Sequence, residues 1–195
     1  VEVPDVQGLA VLDRYRAHTM VQYAEEEGEY NAVPLVPGPT LIVNDPSLPL
    51  QWAIPKIQCP EAWDVTQGLA TVLIAILDTG IDEAHPDLVG KVVDRQNFSG
   101  APDTTDRYGH GTHVAGSAAA VTNNGVGIAG VAPLVKMLNV KVLNDSGSGS
   151  WSGVASGIVW AADHGAQVIS MSLGGTGGSQ VVEAAVNYAW AKGVV

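Results

Sequence analysis

The chain has 195 residues, of which 46% are hydrophobic and 15% charged, a composition that indicates a folded domain and argues against disorder. Nine Lys and Arg against 20 Asp and Glu give a net charge of −11, which disfavours nucleic acid or an anionic membrane as a partner and favours cations. No apolar run is long enough for a membrane-spanning helix. The single Cys59 cannot form an internal disulfide, and we interpret it as a small buried hydrophobic residue.

The first 43 residues differ in composition from the rest of the chain. Glu occupies positions 25–27, and three prolines within 33–39 predict an extended linker over residues 33–43. Residues 1–32 are then a small segment ahead of the linker. Such a segment is either a pro-region or an unrelated N-terminal extension.

From residue 44 onward, apolar strands alternate with helices. The patterns predict strands over 71–77, 134–143 and 167–173, and they predict helices over 111–121, 154–164 and 181–192. This alternation is typical of right-handed βαβ units. The sequence therefore predicts an α/β fold, a three-layer, doubly wound parallel sheet with helices on both faces. Residues 192–195 are typical of a helix end, a glycine stop and the start of another strand, so we expect this sheet to be truncated on its C-terminal side.

Two polar residues occupy positions where such a sheet places function. Asp78 follows the first apolar strand, and functional groups gather at the carboxyl ends of parallel strands. Asp-Thr-Gly alone is ambiguous, since it also occurs in aspartic proteases, metal sites and turns. His110 begins a helix of small residues, where the helix dipole keeps an imidazole neutral unless a carboxylate is near. Together the two residues predict a carboxylate that orients an imidazole acting as general base.

Two other functions are disfavoured. His110 and His113 share the spacing of zinc ligands on a helix, but a third ligand and an intervening glutamate are lacking. We therefore predict that His113 is a buried, hydrogen-bonded core residue. A nucleotide-binding enzyme would need a Gly-x-Gly-x-x-Gly turn after the first strand, and residues 77–82 do not supply one.

The segments Asp78–Gly80 and His110–Gly116 resemble the first two signatures of the subtilisin-like serine proteases, the subtilases of peptidase family S8, in which Asp precedes His. The resemblance runs from about Asn44 to the end and is closest to the thermitase branch, with similar stretches at 56–63, 120–124 and 186–190. It implies a secreted endopeptidase that cleaves peptide bonds with an Asp-His-Ser triad and is monomeric when complete. Residues 44–195 would be the N-terminal portion of its catalytic domain, and residues 1–32 the C-terminal part of an inhibitory propeptide.

The resemblance also implies binding residues. An extended polypeptide substrate would lie between two strand-like segments, with a tryptophan lining a more distant apolar pocket. The residues concerned are Gly147, Ser148, Gly149, Trp151, Ser172, Leu173 and Gly174. A structural calcium ion would take only oxygen ligands, as a hard cation prefers. The implied ligands are the side chains of Asp45, Asp87 and Asn124 and the carbonyls of Val121, Val126 and Ile128. Asp103 and Asp106 leave a second, weaker site open.

Two parts of the family's machinery are absent from this sequence. The nucleophilic serine begins a helix well downstream, and the oxyanion asparagine follows a strand that starts like residues 194–195. Ser146, Ser148 and Ser150 lie in a glycine-rich loop and begin no comparable turn. Loss of the serine alone costs roughly a million-fold in turnover, so we expect this chain alone to be inactive. The alternative is a non-catalytic peptide-binding protein derived from a subtilase.

Overall fold

The computed structural model describes residues 41–195 and, ahead of them, only Asp13, Arg16, Ala17 and Thr19. The chain divides into two compact units, Val1–Pro37 and Gly38–Val195, and the fold below is that of the second unit. The predicted propeptide segment, apart from those four residues, and the predicted linker up to residue 40 lie outside the described part. None of the described helices is both long and apolar enough to cross a membrane.

A parallel four-stranded sheet forms the centre of the second unit. Its strands are β1 (Leu73–Asp78), β2 (Val92–Asn97), β3 (Lys136–Lys141) and β4 (Val168–Ser170), in the spatial order β2-β3-β1-β4. The two interior strands, β1 and β3, are the most deeply buried, as strands covered on both faces should be. The backbone of Val195 pairs with β4 on the side away from β1.

Within residues 41–195 there are five α-helices. They are α1 (Ala53–Lys56), α2 (Cys59–Trp63), α3 (His110–Ala119), α4 (Trp151–Asp163) and α5 (Gln180–Ala191), and a short 3-10 helix (Leu48–Leu50) precedes α1. Serine side chains cap α4 and α5, because Ser150 accepts the amide of Gly153 and Ser179 accepts that of Val182. The N-cap residue of α3 is Gly109, which has no side chain to offer.

Alternate side chains of β1 point to opposite faces of the sheet and build two cores. Ala75 and Leu77 pack in one cluster with residues of α4 and α5, whereas Ile76 packs in another with Ala115 and Ala119 of α3. The helices therefore cover both faces, and the predicted three-layer α/β fold is confirmed. A third cluster joins α1 and α2 to the loop at Ala129.

The structure also corrects details of the sequence interpretation. Strand β2 was not predicted, because Val92–Asn97 is mostly polar and exposed at the edge of the sheet. The prediction that His113 is buried is wrong, since it lies on the exposed face of α3. Cys59 is buried as interpreted, and that burial, together with the nearby Glu61 carboxylate, raises the pKa of its thiol.

Candidate active site

Asp78 and His110 meet at the carboxyl end of the sheet. Nδ1 of His110 lies 2.8 Å from Oδ1 and 2.9 Å from Oδ2 of Asp78, and a carboxylate can only accept, so Nδ1 carries the proton. The Asp78 side chain is 1% exposed and that of His110 is 44% exposed. The imidazole is therefore held on its Nδ1 side by a buried carboxylate, while Nε2 is left to accept a proton.

The contact depends on a close approach between α3 and the turn after β1. A Cβ added to Gly111 would lie 2.1 Å from the carbonyl oxygen of Gly80 and 3.1 Å from Cβ of Asp78. Any larger residue would push the first turn of α3 away from the carboxylate. Glycine after the histidine is therefore a condition of the hydrogen bond between Asp78 and His110.

Thr79 fixes the orientation of the Asp78 carboxylate and links it to the helix. Its backbone amide donates to Oδ1 of Asp78 at 2.6 Å, and its hydroxyl accepts the amide of Gly111 at 2.9 Å. The same hydroxyl donates to Oδ1 of Asp106 at 2.8 Å. Asp106 is thus a structural partner of the site, although the sequence suggested it only as a possible ligand of a second cation.

The Asp106 carboxylate is surrounded by hydrogen-bond donors. Burial raises its pKa, but donation from the amide and hydroxyl of Thr112, the amide of Gly109 and the hydroxyl of Thr79 outweighs burial, and the pKa is lowered overall. Asp106 therefore stays ionised in the folded protein. Asp103 is engaged differently, since Arg107 forms two hydrogen bonds to it at 2.9 and 2.6 Å and holds the pKa of that carboxyl well below its usual range. Of the two carboxylates that could have formed a second cation site, Asp103 is thus already neutralised by Arg107.

A buried lysine lies beneath the same turn. Lys141 pairs in register with Asp78 at the end of β3 and is fully buried. Its Nζ donates to the backbone carbonyl of Thr79 and forms a 2.9 Å ion pair with Asp145. Sequence reasoning missed this residue, because a lysine at the end of a strand is normally exposed.

A cavity of about 830 Å³ opens beside His110. Seven residues that the family resemblance implied for substrate binding all line it: Gly147, Ser148, Gly149, Trp151, Ser172, Leu173 and Gly174. Trp151 is half exposed at the start of α4 and lies beside the loop at Gly175. Tyr108 and Glu183 also line the cavity and were not predicted.

The predicted calcium ligands come together around the loop that follows α3. Asp45 and Asp87 are both buried, and Asn124 joins them, since its amide N–H bonds to Asp45 at 3.1 Å and its Nδ2 to Asp87 at 3.0 Å. Among the described residues, neither carboxylate has a basic side chain as an ion-pair partner. Two buried carboxylates so close to each other without a counter-ion fit a bound cation.

The loop that carries the remaining implied ligands wraps closely around Asp87. The amide of Ile128 donates to Oδ2 of Asp87 at 2.8 Å, the amide of Val121 donates to the Asp87 carbonyl, and the amide of Val126 donates to Oδ1 of Asn124. A Cβ at Gly127 would lie 2.1 Å from Oδ2 of Asp87. No group of three or more His, Cys, Asp or Glu side chains is arranged for a metal within residues 41–195, so the zinc interpretation gains nothing and calcium would rely on amide and carbonyl oxygens.

Within residues 41–195, His110 forms no hydrogen bond to a serine hydroxyl. Of the loop serines, Ser150 caps α4 and Ser148 lines the cavity. The fold and the site together define an α/β protein with an Asp–His pair at the carboxyl end of a parallel sheet, beside a groove.

Comparison with known proteins agrees with this description. The model of the subtilase family, peptidase S8, matches residues 70–195. Thermitase of Thermoactinomyces vulgaris is 56% identical over 146 residues, which are 74% of this chain and 52% of that protein. The thermophilic serine proteinase of Bacillus sp. (strain AK1) is 43% identical over 187 residues, 95% of this chain and 45% of that protein. The solved structure of sphericase matches with a TM-score of 0.62 and 46% identity, over 66% of this chain and 45% of that one.

The chain belongs to the subtilase family of serine proteases. It spans about half the length of the curated relatives that it matches.

Proposed function

We propose that this chain supplies the Asp–His half of a subtilisin-like serine endopeptidase, whose nucleophilic serine and oxyanion asparagine lie in a part of the protein outside this sequence. The observation that carries the proposal is the hydrogen bond between His110 and Asp78 at the edge of the cavity. The length of the chain supports it, since about half of each relative is matched. By itself the chain hydrolyses nothing at an enzymatic rate, because within residues 41–195 the histidine has no serine hydroxyl to activate.

The chemistry follows from the proton positions. Asp78 holds Nδ1–H, so Nε2 takes the proton of a serine hydroxyl as that oxygen attacks the peptide carbonyl. The imidazolium that forms is stabilised by the buried carboxylate 2.8 Å away and later donates its proton to the leaving amine. His110 is thus the general base and then the general acid, and Asp78 orients it.

The substrate is an extended polypeptide held by backbone hydrogen bonds. Two segments that line the cavity, residues 147–149 and 172–174, are rich in glycine and serine, so a peptide can approach their backbones closely. Trp151 offers an apolar surface at one end of the groove. We propose that the complete protein is secreted and monomeric. Neither nucleic acid nor a membrane is a partner in this proposal.

A structural calcium ion is part of the proposal. Asp45, Asp87 and Asn124 would hold it together with carbonyl oxygens of the 121–128 loop. The ion would offset the repulsion between the two buried carboxylates and so fix the loop against α3. Its role is stability, and no catalytic step passes through it.

We also propose that residues 1–32 are the end of a propeptide that inhibits the protease before cleavage, followed by a linker over residues 33–43. The match to the thermophilic serine proteinase supports this division, because it covers 95% of this chain and so extends well into the first 43 residues. Because the relative shares this segment, the match argues against an unrelated N-terminal extension.

The test is hydrolysis of a chromogenic peptide by the longest reading frame that contains this chain. His110→Ala is expected to abolish turnover, and His113→Ala, a matched change on the exposed face of the same helix, is expected to leave it unchanged. Wild-type turnover in His110→Ala would contradict the proposal. If no longer reading frame exists and the 195-residue chain binds peptides without cleaving them, the non-catalytic peptide-binding function is correct instead. The presence of all seven implied binding residues around one cavity favours that alternative.

A further inference from the structure

We propose that Asp106 is a positioning residue of the active site, which holds the turn after β1 and the first turn of α3 together and thereby fixes the distance between Asp78 and His110. This inference rests on the proposed function, since it assigns a residue that acts through the same pair.

One carboxylate accepts five hydrogen bonds at this point. Oδ1 of Asp106 accepts the Thr79 hydroxyl at 2.8 Å, the Tyr108 amide at 3.0 Å and the Gly109 amide at 2.8 Å. Oδ2 accepts the amide of Thr112 at 2.8 Å and its hydroxyl at 2.7 Å. All five donors are neutral and lie in the turn after β1, in the loop before His110 or in α3.

The first connection runs from Asp106 to Asp78. The Thr79 hydroxyl donates to Asp106 and accepts the amide of Gly111, so its proton position is set by Asp106. The amide of Thr79 in turn donates to Oδ1 of Asp78. Asp106 therefore orients the residue that orients the Asp78 carboxylate.

The second connection runs from Asp106 to His110. Gly109 is the N-cap of α3 and has no capping side chain, so the free amides of the first helical turn need another acceptor. Asp106 accepts the amide of Thr112, two residues after His110, and its negative charge lies at the positive end of the helix dipole. The Thr112 hydroxyl also accepts the amide of Asp82, which ties the same helical turn to the segment after β1.

These connections serve position and no other visible purpose. Asp106 does not line the cavity, so it has no direct contact with a bound peptide. Nor does it form an ion pair within the described residues, in contrast to Asp103 three positions earlier. Its removal should therefore disturb the Asp–His geometry more than the walls of the groove, of which only Thr79 and Tyr108 donate to Asp106.

Asp106→Asn is the decisive variant because the side chain keeps its shape and loses one acceptor. The NH2 group of asparagine must face donors at either Oδ1 or Oδ2, so one of the two sets of hydrogen bonds is lost. In the longer protease we expect kcat to fall on the order of 10²-fold, the cost of a small misplacement of catalytic groups, with KM changed less than about twofold. Asp103→Asn, with the same change of charge in the same loop, should leave both constants near wild type.

The same question can be answered in the 195-residue chain without any hydrolysis. The Nδ1–H proton of His110, hydrogen-bonded to a carboxylate, gives a far-downfield NMR resonance that is protected from exchange. In Asp106→Asn we expect its exchange with solvent to accelerate on the order of tenfold or more, as local opening becomes easier. This readout separates the two proposals, because it reports the Asp–His contact even if the protein is no protease.

A milder pair of variants guards against unfolding. Thr112→Val removes one donor to Asp106 together with the acceptor of the Asp82 amide, and Thr112→Ser keeps both. The Nδ1–H proton should exchange faster in the first variant and behave as in wild type in the second. An unchanged resonance in both Asp106→Asn and Thr112→Val, or a KM effect equal to the kcat effect, would overturn the assignment. Equal changes in Asp106→Asn and Asp103→Asn would also overturn it, since they would reflect loop charge alone.

Discussion

Lys91 provides a test of how protein stability depends on pH. The structure gives both the direction and the size of the expected change in the free energy of unfolding. The residue is 4% exposed just before β2, and its Nζ donates to the carbonyl of Pro133 at 2.6 Å. Burial, and then repulsion from Lys136, lowers its pKa from 10.5 to about 8. The unfolded chain, in which the pKa is normal, therefore binds more protons than the folded chain between pH 8 and 10.5.

Stability must rise with pH across that interval. The shift from 10.5 to about 8 is 2.5 units, and at 1.36 kcal/mol per unit it corresponds to a gain of about 3 kcal/mol in the free energy of unfolding. Below pH 8 the cost of the buried charge is fully present. In Lys91→Met the residue no longer titrates, so the free energy of unfolding should lack this increase between pH 8 and 10.5.

The assay is urea denaturation followed by tryptophan fluorescence at several pH values between 8 and 10.5. The difference between wild type and Lys91→Met isolates this residue from other alkaline titrations. Lys56→Met, at an exposed position, is the control and should keep the wild-type slope. Parallel curves for wild type and Lys91→Met would show that the buried amine does not titrate as argued.

Two further substitutions test the site. Gly111→Ala places a Cβ 2.1 Å from the Gly80 carbonyl, so α3 must move and turnover of the longer protease should fall on the order of 10²-fold; Ser117→Ala, on the exposed face of α3, should be neutral, and equal activity in the two would refute the packing argument. For calcium, the midpoint temperature of thermal unfolding should rise when the ion is added and fall when a chelator removes it. At a calcium concentration of one hundred times Kd, the free energy of unfolding should increase by about 2.7 kcal/mol. Asp87→Asn should lose most of this response and the exposed Asp94→Asn should keep it; identical responses would exclude the site.

The interior of the sheet was predictable because its residues obey one dominant constraint. Residues 73–77 of β1 are apolar and most of β3 is buried, since both faces are covered, and an apolar run such as that of β1 has few alternative interpretations. Strand β2 obeys no such constraint. It lies at the edge, pairs only with β3 and exposes Asp94, Arg95 and Gln96, so its sequence resembles a loop. Edge strands of this kind are defined by the neighbour they pair with.

The two residues of the Asp–His pair could be predicted, and their supports could not. Asp78 and His110 occur in short motifs whose order carries information. Asp106 lies in a polar loop where nothing local separates it from Asp103, and only the folded chain brings five donors to one of them and an arginine to the other.

His113 shows the opposite failure of sequence interpretation. A helix composed of small and apolar residues can be buried on any side, and for His113 the sequence predicts burial. In the structure only one face of α3 is packed, through Gly111, Ala115, Gly116 and Ala119, and His113 lies on the other face. Small residues permit close packing on any side of a helix but do not specify which sides have a partner.

The register between β1 and β3 couples the catalytic pair to the groove. Asp78 is opposite Lys141, and the backbone carbonyl of Asp78 accepts the amides of Val142 and Leu143. Residues 147–149, which line the cavity, follow shortly afterwards in the chain. A slip of one residue would turn Asp78 to the other face of the sheet and would shift that segment along the groove. The hydrogen bonds that set this register therefore fix both where the base stands and where a peptide would lie, and a change in β3 far from His110 should alter kcat and KM together.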